Sequence, residues 1–265
     1  LERAQSGLGV DGLVGRELLA DLAIGDRGPR AQQDHHQIEQ ALAAIAATFV
    51  ALWRIRPLAG ALPYDFDERH MSYIKIDREK GIAELPWGMT VPLRPFFGVL
   101  CSAPPPEWGE LATPPPRQNG GNMDNKELVA GTRLFLPVYV PDALFSVGGG
   151  HGAQGDGEIC IAALEMGMRG RFRLSIRRDF KLDWPIAETP THIITMAFDP
   201  DLDDAVVVAI RQMIGLLVRL SGISRVEAYK LLSYVGDLRV TQVVNGNKGI
   251  HLMVDKGYFR TPLSP

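Results

Sequence analysis

Alternation of apolar and polar positions dominates the middle of the chain. Tyr73 to Ile76 and Ile82 to Leu85 flank Glu79-Lys80-Gly81 and predict two short strands around a turn, with Met89 to Leu93 as a third. Phe96 to Ser102 is a continuous apolar run, the pattern of a strand buried on both faces. Thr132 to Val140, Ala143 to Val147, Ile159 to Met168, Gly170 to Arg178 and His192 to Phe198 extend the series. Arg171, Arg173 and Arg177 alternate with Phe172, Leu174 and Ile176, so one face of that strand should be solvated. The period changes after Asp199. Asp203 is a suitable N-cap for a helix over Asp204 to Leu220 that stops near Gly222. Ser224-Arg225-Val226-Glu227 is a capping box opening a second helix to about Tyr234. Arg239 to Val244 and Gly249 to Val254 are the last strands, joined through Asn245-Gly246-Asn247. Near the N-terminus, Ile38, Leu42, Ile45 and Phe49 recur at helical spacing and predict one helix over Gln32 to Trp53. His35 and His36, near its beginning, read as a polar helix start, because adjacent residues do not share a helix face.

Many strands, few helices and no strand–helix alternation predict an α+β fold, mainly β. The body is β-sandwich-like, with an αα-hairpin inserted near the C-terminus. Composition narrows the function classes. A net charge of −3 over 265 residues lacks the basic face that nucleic acid requires. Ala41 to Trp53 is too short an apolar stretch to span a bilayer, so no membrane partner is expected. Two cysteines, Cys101 and Cys160, make no disulfide framework and point to a reducing, cytoplasmic compartment. No phosphate-cradling loop or dinucleotide fingerprint is present.

The densest chemistry lies in Gly148-Gly149-Gly150-His151-Gly152-Ala153-Gln154-Gly155-Asp156-Gly157-Glu158. Histidine and carboxylates among glycines supply metal ligands and a proton carrier. If Gly155 to Glu158 is extended, Asp156 and Glu158 share a face. Upstream, Pro104-Pro105-Pro106 and Pro114-Pro115-Pro116 bracket a stiff loop that delivers Asn122, Asp124 and Asn125 to a fixed place. Asp124, His151 and Asp156 are the candidate ligands, with Glu158 as base and then acid. The plainer alternatives are a tight β corner at 154–158 and a self-bonded turn at 122–125. A thiol mechanism would use Cys160, with Glu158 and Lys126 beside it. A buried, inert cysteine is the commoner state of such a run, and Cys101 reads the same way. His192 and His251 read as ordinary strand histidines, and His70 as solvated.

Gln154-Gly155-Asp156-Gly157-Glu158 after His151 resembles a signature of the acetamidase/formamidase family. Gly120-Gly121-Asn122-Met123-Asp124-Asn125-Lys126, Pro92-Leu93-Arg94-Pro95-Phe96-Phe97-Gly98-Val99 and Gly236-Asp237-Leu238-Arg239-Val240-Thr241-Gln242-Val243-Val244 resemble three further blocks, in the family's order. The resemblance spans about Arg56 to Phe259. It divides the chain into an atypical, partly helical segment over 1–55 and a catalytic domain over 56–265. The abrupt change near Arg56, and a first residue other than methionine, suggest a truncated or frame-shifted segment. Family members carry a β-rich portion there instead.

The resemblance implies metal-dependent hydrolysis of a short aliphatic amide, formamide or acetamide, by a homo-oligomer. The metal is expected to be zinc, with calcium as the alternative. Asp124, His151 and Asp156 are the matching metal positions, Glu158 and Asp156 the catalytic ones, and Asn122 and Gln154 the substrate-lining ones. One departure stands out: the family has aspartate where this chain has Gly149. A catalytically impaired family member, or a non-catalytic β-sandwich binding a cation or small polar ligand, is therefore the alternative.

Overall fold

The computed structural model describes strands at 18–22, 37–38, 43–46 and 50–55 and then residues 58–66, 68–261, 263 and 265. In chain order the strands are β1 (Leu18–Leu22), β2 (Gln37–Ile38), β3 (Ala43–Ala46), β4 (Val50–Ile55), β5 (His70–Asp77), β6 (Ile82–Glu84), β7 (Thr90–Pro92), β8 (Phe96–Cys101) and β9 (Gly120–Asn122). They continue with β10 (Arg133–Phe135), β11 (Ser146–His151), β12 (Met168–Leu174), β13 (Ile176–Arg177), β14 (Ile186–Glu188) and β15 (His192–Asp199). Helices α1 (Leu202–Ser221) and α2 (Arg225–Val235) follow, then β16 (Asp237–Gln242) and β17 (Lys248–Asp255). The fold is mainly β with a helix pair near the C-terminus, as the pattern predicts.

The central sheet has the order β10-β14-β15-β17-β16, every neighbouring pair antiparallel. Burial of both its faces explains the unbroken apolar run in β15. Ile193 and Ala197 pack with Met213, Leu216 and Leu217 of α1. Ile194, Met196 and Phe198 point the other way, into a core with Phe97 and Leu100 of β8 and Phe172 of β12. The sheet β11-β8-β9 closes that second layer. A third apolar cluster, Ile74, Ile76, Ala83, Leu164 and Met166, lies beneath β5 and β6. Among the described residues no single helix is long and apolar enough to cross a membrane.

The helix pair is stopped by local chemistry. Asp201, two residues earlier than the predicted cap, accepts a hydrogen bond from the Asp203 amide, and Gly222 ends α1 in the left-handed conformation. Ser224 and Glu227 form the reciprocal capping box at the start of α2.

Three predicted elements differ in the structure. The helix over Gln32 to Trp53 is replaced at its described residues by β2, β3 and β4. β3 pairs with β12, and β4 with β5, so open strand edges in the body capture the segment and tertiary pairing overrides its period. This matches the β-rich portion implied by the resemblance. The strand over Ala143 to Val147 instead begins at Ser146, because Asp142, Ala143 and Leu144 all take positive φ and turn the chain. Ile159 to Met168 is a loop up to β12, tied to the end of β11 by the bridge between His151 and Glu165 and by the Met166 amide, which donates to the Gly150 carbonyl at 2.8 Å.

Candidate metal centre

The site is built where β8, β9 and β11 meet. β8 lies between the other two, pairing Gly148, Gly150 and His151 with Val99, Phe97 and Phe96 on one side. On the other side it pairs Asn122 with Val99. His151 therefore ends β11 beside Asp124, which leaves β9 with its amide donating to the Gly98 carbonyl at 3.1 Å. A side chain at Gly98 would force Asp124 or His151 to shift. Its Cβ would collide with Asp124 Oδ1 and stand 2.9 and 3.1 Å from His151 Cε1 and Nε2.

Glu158 arrives from the glycine loop. Gly157 has φ 89° and Glu158 φ 45°, so residues 155–158 turn rather than extend. The expectation that Asp156 and Glu158 share a face is thereby corrected. The turn is clamped by the Gly157 amide, which donates to the Val240 carbonyl of β16 at 3.0 Å. Glu158 points inward and is buried, with Asp124 and His151. One ligand atom from each of Asp124, His151 and Glu158 lies within 4.8 Å of the others. Asp156 lies outside this cluster. It sits at the rim, 3.3 Å from Lys126 Nζ and 3.9 Å from Arg239 Nη1.

Hydrogen bonds fix which atoms face inward. The Asp124 carbonyl can only accept, so the Gln154 amide group turns its Nε2 to it, at 2.6 Å. Gln154 Oε1 then faces His151 Nδ1 at 2.8 Å and must receive its proton. That leaves Nε2 aimed at Asp124 Oδ1 at 3.7 Å and Glu165 Oε1 at 3.5 Å. A lone pair directed at carboxylate oxygens requires a proton or a metal ion between them. Gln154 is thus a clamp on the site rather than only a lining group.

Two more carboxylate contacts were not evident from sequence. Asn245 Nδ2 donates to Asp124 Oδ2 at 2.5 Å and to the Asn122 carbonyl at 3.2 Å. Asn122 thus serves the site through its backbone. Asn245 is itself held by its amide, which donates to the buried Gln242 Oε1 at 2.9 Å. In the sequence Asn245 reads only as a turn residue. Glu165 reads as part of a strand, and only the bridge to His151 brings it near.

Asp124 Oδ1 and Glu158 Oε2 are buried and accept no hydrogen bond. Two such oxygens beside an imidazole are costly unless a cation or a shared proton joins them. Burial first, and then the charge of Asp124, push the Glu158 carboxyl far above the usual carboxylate range. Orphaned oxygens, one imidazole nitrogen and a Cβ-free floor at Gly98 are what a small divalent ion needs. The cluster could therefore hold a metal. Beside it, burial alone would push the Glu127 carboxyl up, but bonds from Arg94 at 2.6 Å and Lys126 at 3.0 Å hold it at about 2. Glu127 ties these cations at the rim as structure.

The acetamidase/formamidase family model matches residues 106–254. The chain belongs to the acetamidase/formamidase family. A crystal structure of an acetamidase from Bacillus halodurans superposes with a TM-score of 0.77 at 32% identity, over 84% of this chain and 75% of that one. A predicted acetamidase/formamidase from Thermoanaerobacter tengcongensis shares the fold, with a TM-score of 0.80 at 23% identity over 85% and 74% of the two chains. An acetamidase of Mycolicibacterium smegmatis is 54% identical over 56 residues, which is 21% of this chain and only 14% of that relative's length. The family match contains Asp124, Gly149, His151, Gln154, Glu158, Glu165 and Asn245; Gly98 precedes it.

Cys160, Glu158 and Lys126 line one cavity, but Lys126 is paired with Glu127 and Asp156. Cys160 Sγ donates to the Ala162 carbonyl at 3.4 Å. The thiol alternative thus gains no free amine. Burial pushes the Cys101 thiol up to about 11, away from reactivity.

Proposed function

We propose that this chain hydrolyses a primary aliphatic amide, of which formamide and acetamide are the smallest members, to a carboxylate and ammonia, using one divalent ion. The observation that carries the proposal is the buried Asp124–His151–Glu158 cluster with its two orphaned carboxylate oxygens. Zinc fits better than calcium, because the imidazole nitrogen belongs to the N/O donor set of zinc and calcium takes oxygen ligands. Asp124 and His151 would hold the ion. Each is fixed by a hydrogen bond, Asp124 by a buried one from Asn245 and His151 by a partly buried one to Gln154, and Glu165 flanks them. A metal bound there would polarise the amide carbonyl and lower the pKa of its water.

The protein's own part is proton traffic and exclusion of water. Glu158 lines the cavity that opens onto the cluster, and its Oε2 has no bond to hold it back. With positive charge beside Asp124, Glu158 starts as a carboxylate and takes the proton of the attacking water. It then returns that proton to the departing nitrogen, so that ammonia leaves. Asp156 is assigned to the rim, neutralising Lys126 and Arg239. Glu158→Gln should keep its metal and fold while ammonia release from acetamide falls by roughly 10²-fold or more. His151→Ala should lose metal. Undiminished turnover in Glu158→Gln removes that residue from the chemistry, and unchanged metal content in His151→Ala removes the centre.

A further inference from the structure

A cavity of about 610 Å³ opens from Glu158 and Gln154 toward the β5–β7 strands. Acetamide has four heavy atoms, which at about 30 Å³ each fill on the order of a fifth of this space. The cavity falls within the roughly 300–1,000 Å³ of sites that hold drug-sized ligands. Its walls are apolar: Ile74, Trp87, Val91, Ala162, Ala163 and Leu164. The polar groups collect at the Glu158 end and at the rim. The rim cations Arg94 and Lys126 are neutralised by Glu127, and Lys126 also by Asp156. No uncommitted positive charge there calls for an anionic tail. Water in such a space wets apolar side chains, and a neutral hydrocarbon would displace it favourably.

Resting on the amidase reading, we propose that the preferred substrates are primary amides of longer or arylalkyl carboxylic acids. The carboxamide sits at Glu158 and the acyl chain runs along Trp87, Val91 and Leu164. Chain growth is placed on the acyl side because the departing nitrogen must meet Glu158, which lies at the buried end of the cavity. Acyl methylenes are then read one by one, each adding about fourfold to kcat/KM, the equivalent of 0.8 kcal/mol.

The test measures ammonia release by the zinc-loaded chain from acetamide, butanamide, hexanamide and phenylacetamide, and amine release from N-hexylacetamide. Hexanamide binding to the metal-free chain is followed by calorimetry. Four added methylenes at about fourfold each give an expected rise in kcat/KM on the order of 10² from acetamide to hexanamide. Trp87→Ala, at a half-exposed wall position, should lower the hexanamide-to-acetamide ratio of kcat/KM fivefold or more. Turnover of acetamide equal to or above that of hexanamide overturns the proposal and leaves the amidase reading intact. Faster cleavage of N-hexylacetamide than of hexanamide overturns the acyl placement. Silence toward every amide, with hexanamide still bound in a Trp87-dependent way, sinks the amidase reading and keeps the apolar specificity. Silence with no binding ends both.

Discussion

Gly98→Ala is the sharpest test of the centre, because it separates the site from the fold. In a strand, alanine is favoured over glycine by roughly 0.5–1 kcal/mol, and Gly98 does not use a positive φ. Secondary structure alone therefore predicts a slightly more stable protein. The added Cβ, however, would overlap Asp124 Oδ1 and stand 2.9 and 3.1 Å from His151 Cε1 and Nε2. Relief requires Asp124 to swing away, yet its Oδ2 is bound to Asn245 at 2.5 Å and its carbonyl to Gln154 at 2.6 Å. Overpacking of this kind costs about 1–3 kcal/mol. A displacement of about 1 Å at a catalytic group costs on the order of 10² in rate. The assay is ammonia release with zinc titrated from trace to excess, alongside urea unfolding of the metal-free chain. The expected outcome is a zinc affinity at least tenfold weaker, activity down by about 10², and stability changed by no more than about 2 kcal/mol. Gly98→Ala with zinc affinity and turnover within threefold of the parent would falsify the convergence of Asp124 and His151 beneath β8.

Three further outcomes follow from the same geometry. Asn245→Ala strips the donor from a buried carboxylate and should cost about 1.5–3 kcal/mol in urea unfolding, with weaker zinc binding; an unaltered zinc isotherm denies Asn245 its positioning role. Gly149→Asp places a carboxylate where the built Cβ lies 3.7 Å from His151 Nε2, at a φ of 60° that aspartate tolerates. Zinc affinity should rise tenfold or more, and no gain means that Gly149 has not removed a ligand. His251 is fully buried, bonded to Thr241 Oγ1 through Nδ1 at 2.8 Å, and burial holds its pKa at about 4, below its ordinary 6.5. Its neutral form stabilises the fold fully above pH 6.5, and that contribution is lost as pH falls through 4, by about 3 kcal/mol in all. Urea midpoints at pH 7, 6, 5 and 4 should drop more steeply for the parent than for His251→Gln; parallel profiles contradict this.

The sequence by itself determined the elements whose free energy is local. The capping box at Ser224 and the left-handed stop at Gly222 follow from hydrogen bonds within a few residues. The buried run in β15 follows from alternation that is apolar on both faces. Side-chain chemistry and family likeness together marked Asp124, His151 and Glu158, whereas Gly98 only lay inside a matching block, with no reason for its being glycine. The N-terminal strands escaped because helical period and strand pairing compete there, and the edge of β12 was visible only once the sheets had formed. Asp156 and Glu158 looked alike at a spacing of two. Two positive φ values sent one to the rim and the other inward. Tertiary structure alone brought Glu165 and Asn245 to the centre. Side-chain convergence from the ends of several strands depends on register and twist, and those are settled by the packed sheets and by no single stretch of chain.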